Sequence, residues 1–202
     1  MKWILGIVAS YLIGSIPTAF LVGKSVRGID IRKHGSGNVG ATNVFRVIGK
    51  KWGIGVLVFD MFKGFFTAFW LPRHFAAPTL DPFVLSLAFG IAAIMGHTWT
   101  LWLGFCGGKG VAISAGVFLA LTPRAACVSL LIWIVLFSWK RYVSFASLGT
   151  ALSFPVAVFG FYRKADSFRI LFPVSVCLMF FIFYTNRENI RRLREGTEKK
   201  IL

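Results

Sequence analysis

The sequence predicts an all-α fold: a polytopic transmembrane helical bundle of about seven spans, with a periplasmic N-terminus and a cytoplasmic C-terminus. Three observations predict it. Of 202 residues, 56% are hydrophobic, too many for a soluble domain that must present a polar exterior. Apolar runs near the length of a membrane-crossing helix, about 20 residues, recur from end to end. The 23 Lys and Arg, against 7 acidic residues, gather between those runs.

Taken in order, Trp3–Gly23, Trp52–Leu71 and Phe83–Phe105 each reach a full span, as does Tyr142–Tyr162, while Phe168–Tyr184 is slightly shorter. Val111–Trp139 is too long for one helix and is interrupted at Thr122-Pro123-Arg124. Proline removes a backbone donor and clashes with the preceding turn, and an adjacent Arg is costly at mid-membrane. A split there gives seven spans.

Charge supports the split. With seven spans, the inner loops and tail hold sixteen cations: Lys24, Arg27, Arg32, Lys33, Arg46, Lys50, Lys51, Lys109, Lys140, Arg141, Arg187, Arg191, Arg192, Arg194, Lys199 and Lys200. The outer side holds six, namely Lys2, Arg73, Arg124, Arg163, Lys164 and Arg169. With six spans the division is eleven against ten, and positive-inside bias favours seven. As a helix, Val111–Leu121 rises only about 16 Å, so it is expected to begin nearer Gly107-Gly108-Lys109 or to enter obliquely. The first run, with only Lys2 before it and no small-residue cleavage site, reads as a retained helix. The chain reads as one membrane-embedded domain, 1–202.

The net charge of +16 does not point to nucleic acid, because no basic stripe lies outside the loops between apolar runs. Cys106, Cys127 and Cys177 are too scattered for a disulfide framework or a metal site. No metal and no cofactor is expected. The polar segments 24–51, 104–110, 140–147 and 185–200 all fall on the cytoplasmic side of the seven-span topology, which places the site there.

The first of these segments contains Arg32-Lys33-His34-Gly35-Ser36-Gly37-Asn38-Val39-Gly40-Ala41-Thr42-Asn43-Val44-Phe45-Arg46. Its glycines let backbone amides converge, Ser36, Asn38, Thr42 and Asn43 supply short hydrogen-bonding groups, and Arg46 adds a planar fork suited to phosphate. A solvated loop does not need these residues packed so tightly.

The second segment, Gly104-Phe105-Cys106-Gly107-Gly108-Lys109-Gly110, precedes a helix and suits an anion held by backbone N–H groups with a lysine. It is not a nucleotide-binding P-loop, since Gly110 stands where that motif has Ser or Thr. A plain glycine-rich turn explains it equally well. In the third, Ser144 and Ser147 lie on nearly one face at the start of a helix, to meet a phosphate or to cap the helix. The tail carries Asn186 and Asn189, also three apart, within what resembles a cationic interfacial helix.

Two features lie in or near the spans. Asp60 and Lys63 read as a structural ion pair facing the bundle. His97 is expected in a short polar turn, as a packed and hydrogen-bonded histidine more readily than a general base. No histidine has an Asp five residues on: the positions after His34, His74 and His97 hold Val39, Thr79 and Trp102. The His-x4-Asp pair of acyl-CoA-dependent glycerolipid acyltransferases is missing, as are a nucleophilic Ser elbow and a metal cluster. An enzyme built this way needs an already activated donor.

Together these segments resemble the acyl-phosphate:glycerol-3-phosphate acyltransferase family of bacterial membranes. The resemblance runs nearly the whole chain: Gly14-Ser15-Ile16-Pro17-Thr18, the Gly35–Asn43 stretch, Asp60 with Lys63-Gly64, Gly107-Gly108-Lys109-Gly110, Arg141-Tyr142-Val143-Ser144, and Asn189-Ile190 to Gly196-Thr197-Glu198. It implies a seven-helix membrane enzyme of the bacterial inner membrane. The implied reaction transfers an acyl chain from acyl phosphate to the 1-hydroxyl of glycerol 3-phosphate, giving lysophosphatidate and phosphate.

By the same resemblance, Ser36, Arg46, Lys109, Asn189 and a third-segment serine, Ser144 or Ser147 with preference for Ser147, are catalytic. The resemblance adds Thr42, Gly107, Gly108 and Gly110 to the phosphate-binding set and makes Glu198 structural, while the residues themselves add Gly37, Asn38, Asn43, His97, Ser144 and Asn186 to substrate binding and Asp60 with Lys63 as a structural pair. The family commonly has histidine where this chain has Asn186, which argues against an obligatory proton acceptor there. The partners implied are acyl phosphate, glycerol 3-phosphate, membrane lipids and the enzyme that makes the acyl phosphate. An anion or phosphate transporter is the alternative from another class. It is disfavoured because the motifs gather at one face and the chain shows no internal repeat.

Overall fold

The computed structural model describes residues 2–75 and 80–201, and Thr79 lies outside them. The described residues form helices and turns with no strands. They fold as two compact units, one ending at Leu121 and the other beginning at Thr122. That junction is the Thr122-Pro123 interruption marked by the sequence.

The first unit comprises α1 (Lys2–Ser15), α2 (Thr18–Arg27), α3 (Ala41–Val47), α4 (Lys50–Phe69), α5 (Leu71–His74), α6 (Pro82–Thr98) and α7 (Val111–Leu121). The second comprises α8 (Pro123–Lys140), α9 (Val143–Tyr162), α10 (Phe168–Thr185) and α11 (Arg187–Arg194). Six segments are long and apolar enough to cross a membrane: Lys2–Arg27, Lys50–His74, Pro82–Leu103, Pro123–Lys140, Val143–Tyr162 and Phe168–Thr185. The seventh apolar helix is α7. It begins at Val111, not in the glycine turn before it, so it remains short at 11 residues.

In the first unit α1 packs along α6, and α4 along α7 and α6. Lipid supplies no hydrophobic drive between helices, so close packing of small residues holds such a bundle together. Four glycines make the approach possible: an added Cβ on Gly14 would overlap the Ala93 carbonyl, on Gly96 that of Tyr11, on Gly64 that of Ile113, and on Gly116 that of Met61. Large apolar side chains such as Leu5, Val58 and Phe62 point outward, as expected against lipid acyl chains. In the second unit α9 packs on both α8 and α10, and Gly149 lies against Leu136.

The first span departs from the expected single helix. Pro17 breaks it, and the chain restarts at Thr18. The break strands three carbonyls, and buried polar groups of the backbone must find partners. Lys63 Nζ donates to Ile16 O at 2.8 Å and to Gly14 O at 3.4 Å, and Thr100 Oγ1 donates to Ser15 O. Asp60 Oδ1 accepts from Lys63 Nζ at 2.8 Å and from Thr18 Oγ1 at 3.0 Å. Both charges are about 2% exposed, and the pair meets carbonyls freed where the helix breaks.

Gly64→Ala is expected to destabilise the protein by about 2 kcal/mol or more, because the α4 and α7 backbones must separate. Gly55→Ala on the same helix meets nothing within 4 Å and should leave stability unchanged or raise it by up to about 1 kcal/mol. Thermal unfolding of the two variants in detergent checks the difference.

Candidate active site

Residues 30–46 fold around one buried amide. The Asn43 side chain is fully buried at the start of α3: its Oδ1 accepts from Ser36 N–H at 2.9 Å, and its Nδ2 donates to the carbonyls of Ile31, His34 and Asn38 at 3.0–3.2 Å. Gly35 and Gly37 have φ of +65° and +73°, the left-handed region open to glycine, and a Cβ on Gly35 would overlap Asn43 Oδ1. Gly37 N–H closes a turn on His34 O at 3.1 Å. Asp30 anchors the loop by a bidentate bond to the Arg32 guanidinium, 2.7 Å at the shortest, which holds the Asp30 carboxyl down at about 2. Ser36 is exposed on this loop, and Thr42 and Arg46, one helical turn apart on α3, are half-buried, with the Arg46 Nε itself buried.

The Gly107–Gly110 turn lies at the same end of the unit. Leu103, just before it, packs on the apolar cluster of Ile31, Val39, Val44 and Ile48 that supports the Asn43 loop. Gly107 N–H donates to Thr98 O and Gly108 N–H to His97 O, both at 3.0 Å. These two amides are therefore spent on the end of α6, contrary to the expectation that they hold an anion. The lysine of the turn, Lys109, is half-buried, and Gly110, with φ +81°, stands immediately before α7.

His97 sits in the last turn of α6, not in a separate polar turn as expected. It is 9% exposed, with Nδ1 3.9 Å from Asp60 Oδ1.

The second unit holds a separate polar cluster built on Glu198. Its Oε1 accepts from Asn189 Nδ2 at 2.7 Å and Ser144 Oγ at 3.0 Å, and its Oε2 from Arg192 Nε at 2.7 Å. Burial works to raise the Glu198 carboxyl, but the bonds from Arg192, Asn189 and Ser144 together hold it below the usual carboxylate range. Ile201 N–H donates to Arg141 O at 2.9 Å, tying the tail to the start of α9. Ser147 turns elsewhere, its Oγ accepting from Trp133 Nε1 on α8 at 3.3 Å. Asn186 Nδ2 folds back onto Ile182 O at 2.9 Å.

The family model described as Glycerol-3-phosphate acyltransferase matches residues 4–196. The chain belongs to the glycerol-3-phosphate acyltransferase family. A relative of that name from Geotalea daltonii is 42% identical over 193 residues, covering 95% of this chain and 94% of its own. One from Aquifex aeolicus is 40% identical over 200 residues, covering 99% and 100%. The fold is similar, with a TM-score of 0.88 and 37% identity, to a crystal structure of PlsY (YgiH), an integral membrane glycerol 3-phosphate acyltransferase, in its glycerol 3-phosphate form. That likeness covers 100% of this chain and 96% of PlsY, and a lysophosphatidic acid form of PlsY matches with a TM-score of 0.85. The chain is thus a multi-pass membrane protein and an acyltransferase, and the transporter alternative is set aside.

Within the first unit the structure brings Ser36, Thr42 and Arg46 to one end with Lys109, and gives Asn43 and the glycines to shaping that end. Within the second it joins Ser144 to Asn189 through Glu198, whereas Ser147 stands apart on Trp133. The sequence alone assigns no role to Thr18, Asp30 or Arg192, which the fold gives to Asp60, Arg32 and Glu198. Asp30 two residues before Arg32, on a short polar turn, was a usable signal. Thr18 and Arg192 meet partners that only the fold brings near.

Glu198 sets a pH dependence. Its folded pKa lies below the unfolded one, so its contribution is complete above the ordinary carboxylate value and fades as pH falls through the folded value. Glu198→Gln should lower the unfolding temperature at pH 7, and its gap from wild type should close below about pH 4, as read by thermal unfolding across pH.

Proposed function

We propose that the whole chain, 1–202, acts as one acyltransferase domain that moves a fatty acyl group from acyl phosphate to the 1-hydroxyl of sn-glycerol 3-phosphate. The products are lysophosphatidate and inorganic phosphate, the first step of phospholipid synthesis. The hydroxyl oxygen forms the new ester bond to the acyl carbon, the bond from that carbon to the phosphate oxygen breaks, and the hydroxyl proton leaves on a substrate phosphate oxygen. The mixed anhydride is already activated, so the reaction as proposed calls on no cofactor and no metal. Alignment and charge stabilisation are the protein's main contributions.

The observation that carries this reading is that Ser36, with Thr42 and Arg46 on α3, and the Lys109 turn lie at one end of the first unit, where Leu103 just before the turn packs on the apolar cluster of Ile31, Val39, Val44 and Ile48. The site must accommodate two anions, and Arg46 and Lys109 are one fork and one point charge for them. In the second unit Asn189 and Ser144, with Glu198 holding them, are the polar groups offered to substrate. Ser144 is preferred to Ser147 because it shares the carboxylate with Asn189.

The charge bias of the loops supports an inner-membrane location with this end facing the cytoplasm. The Geotalea daltonii and Aquifex aeolicus relatives and PlsY support the acceptor, since all are named glycerol-3-phosphate acyltransferases and PlsY is described in forms with acceptor and product. The enzyme that makes the acyl phosphate is the proposed partner.

Purified protein should acylate glycerol 3-phosphate from synthetic palmitoyl phosphate and leave palmitoyl-CoA unused. Turnover from palmitoyl-CoA at equal or higher rate would overturn the donor assignment. Lys109→Ala should lower kcat/KM by about a hundredfold or more, and Arg46→Lys by about tenfold through loss of the planar fork. Steady-state release of phosphate measures both.

A further inference from the structure

We propose that His97 is a positioning residue for the Gly107–Gly110 turn, with its imidazole set between Asp60 on one side and the Gly108 backbone on the other. The inference deepens the proposed function and rests on it for the claim that the turn serves a substrate phosphate. The contact between His97 and the turn stands on geometry alone.

Three observations carry it. The turn doubles back on α6, where Gly107 and Gly108 N–H groups satisfy the carbonyls of Thr98 and His97 at 3.0 Å. Those carbonyls belong to the last turn of a helix and have no partner within it. The His97 ring then fills the space beneath the turn so closely that a Cβ on Gly108 would overlap Nε2, and one on Gly107 would overlap the His97 carbonyl. Glycine stands at both positions because the ring and backbone of His97 leave no room for anything else.

On its other edge the ring meets a fixed charge. Nδ1 lies 3.9 Å from Asp60 Oδ1, too far for a hydrogen bond, and that oxygen is already held by Lys63 at 2.8 Å and Thr18 at 3.0 Å. A buried ring at 9% exposure, with its Nε2 edge against the Gly108 backbone, has little room to rotate. What it controls is the height of Gly108 and hence the placement of Lys109, the next residue. The Pro17 break, its lysine repair and the phosphate-facing turn are in this way linked through one side chain.

The test uses full-length protein in detergent and two conservative variants. His97→Gln places an amide near the Nε2 position and should keep the turn in place. His97→Asn reaches only as far as Nδ1 and should release it. In the absence of substrate, hydrogen exchange in the peptide spanning Gly104–Val111 should accelerate about tenfold in His97→Asn and much less in His97→Gln. In steady state, His97→Asn should raise, by about tenfold, the KM of whichever phosphate substrate responds to Gly108→Ala, with a smaller effect on kcat.

Equal exchange in the two His97 variants, or unchanged exchange in Gly108→Ala, would overturn the proposal even if His97→Asn proved too unstable to assay. Accelerated exchange with both KM values unchanged would leave His97 positioning the turn and would instead remove the phosphate-binding assignment of that turn.

Discussion

The first unit depends on an ammonium group buried where a helix is broken. Pro17 interrupts the first span inside a medium that offers no water to the freed carbonyls. Lys63 supplies the donors and Asp60 cancels its charge, both nearly fully buried. A buried pair of this kind adds little net stability over well-packed apolar residues, whereas removing one partner leaves an uncompensated charge. Its value here is positional. It fixes α4 against the broken helix, and Gly64 of α4 with Gly116 of α7 lets those two helices close on each other.

In the proposed function, that constraint places the chemistry. The end of the unit nearest α3 and the Gly107–Gly110 turn is where the Ser36 hydroxyl, the Thr42 and Arg46 face and Lys109 are presented. The polar groups divide into those that shape loops and those that face outward. Asn43 uses its amide on four backbone groups, and the Gly107 and Gly108 amides are used on α6. In the second unit Glu198 serves similarly, orienting Ser144 and Asn189 while Arg192 keeps it ionised. The acyl phosphate of the proposed reaction needs little more than such alignment, since its leaving group is good.

Much of this was legible in the sequence, because membrane spans are written in local composition. The Thr122-Pro123 break, the short α7 and the extent of Val143–Tyr162 follow from residues adjacent in the chain. The glycine-rich motifs were equally visible, but their reasons were not. Gly107 and Gly108 looked like freed amides and prove to be clearances for His97. The apolar run continues through Pro17 without showing the break, because the groups that tolerate it lie far along the chain, Lys63 47 residues from Ile16 and Thr100 85 residues from Ser15. Ser144 and Ser147 could not be told apart because their partners, Glu198 and Trp133, come from opposite directions along the chain. Local patterns identify donors and acceptors, and only the fold says which of them are already taken.

The central claim is that substrate phosphates are met at the end of the protein carrying Ser36 and that this end faces the cytoplasm. Sealed vesicles of each orientation test it, with Ser36→Cys in a background lacking Cys106, Cys127 and Cys177 and a membrane-impermeant maleimide. The account predicts labelling in inside-out vesicles and none in right-side-out ones. Labelling of right-side-out vesicles would contradict it.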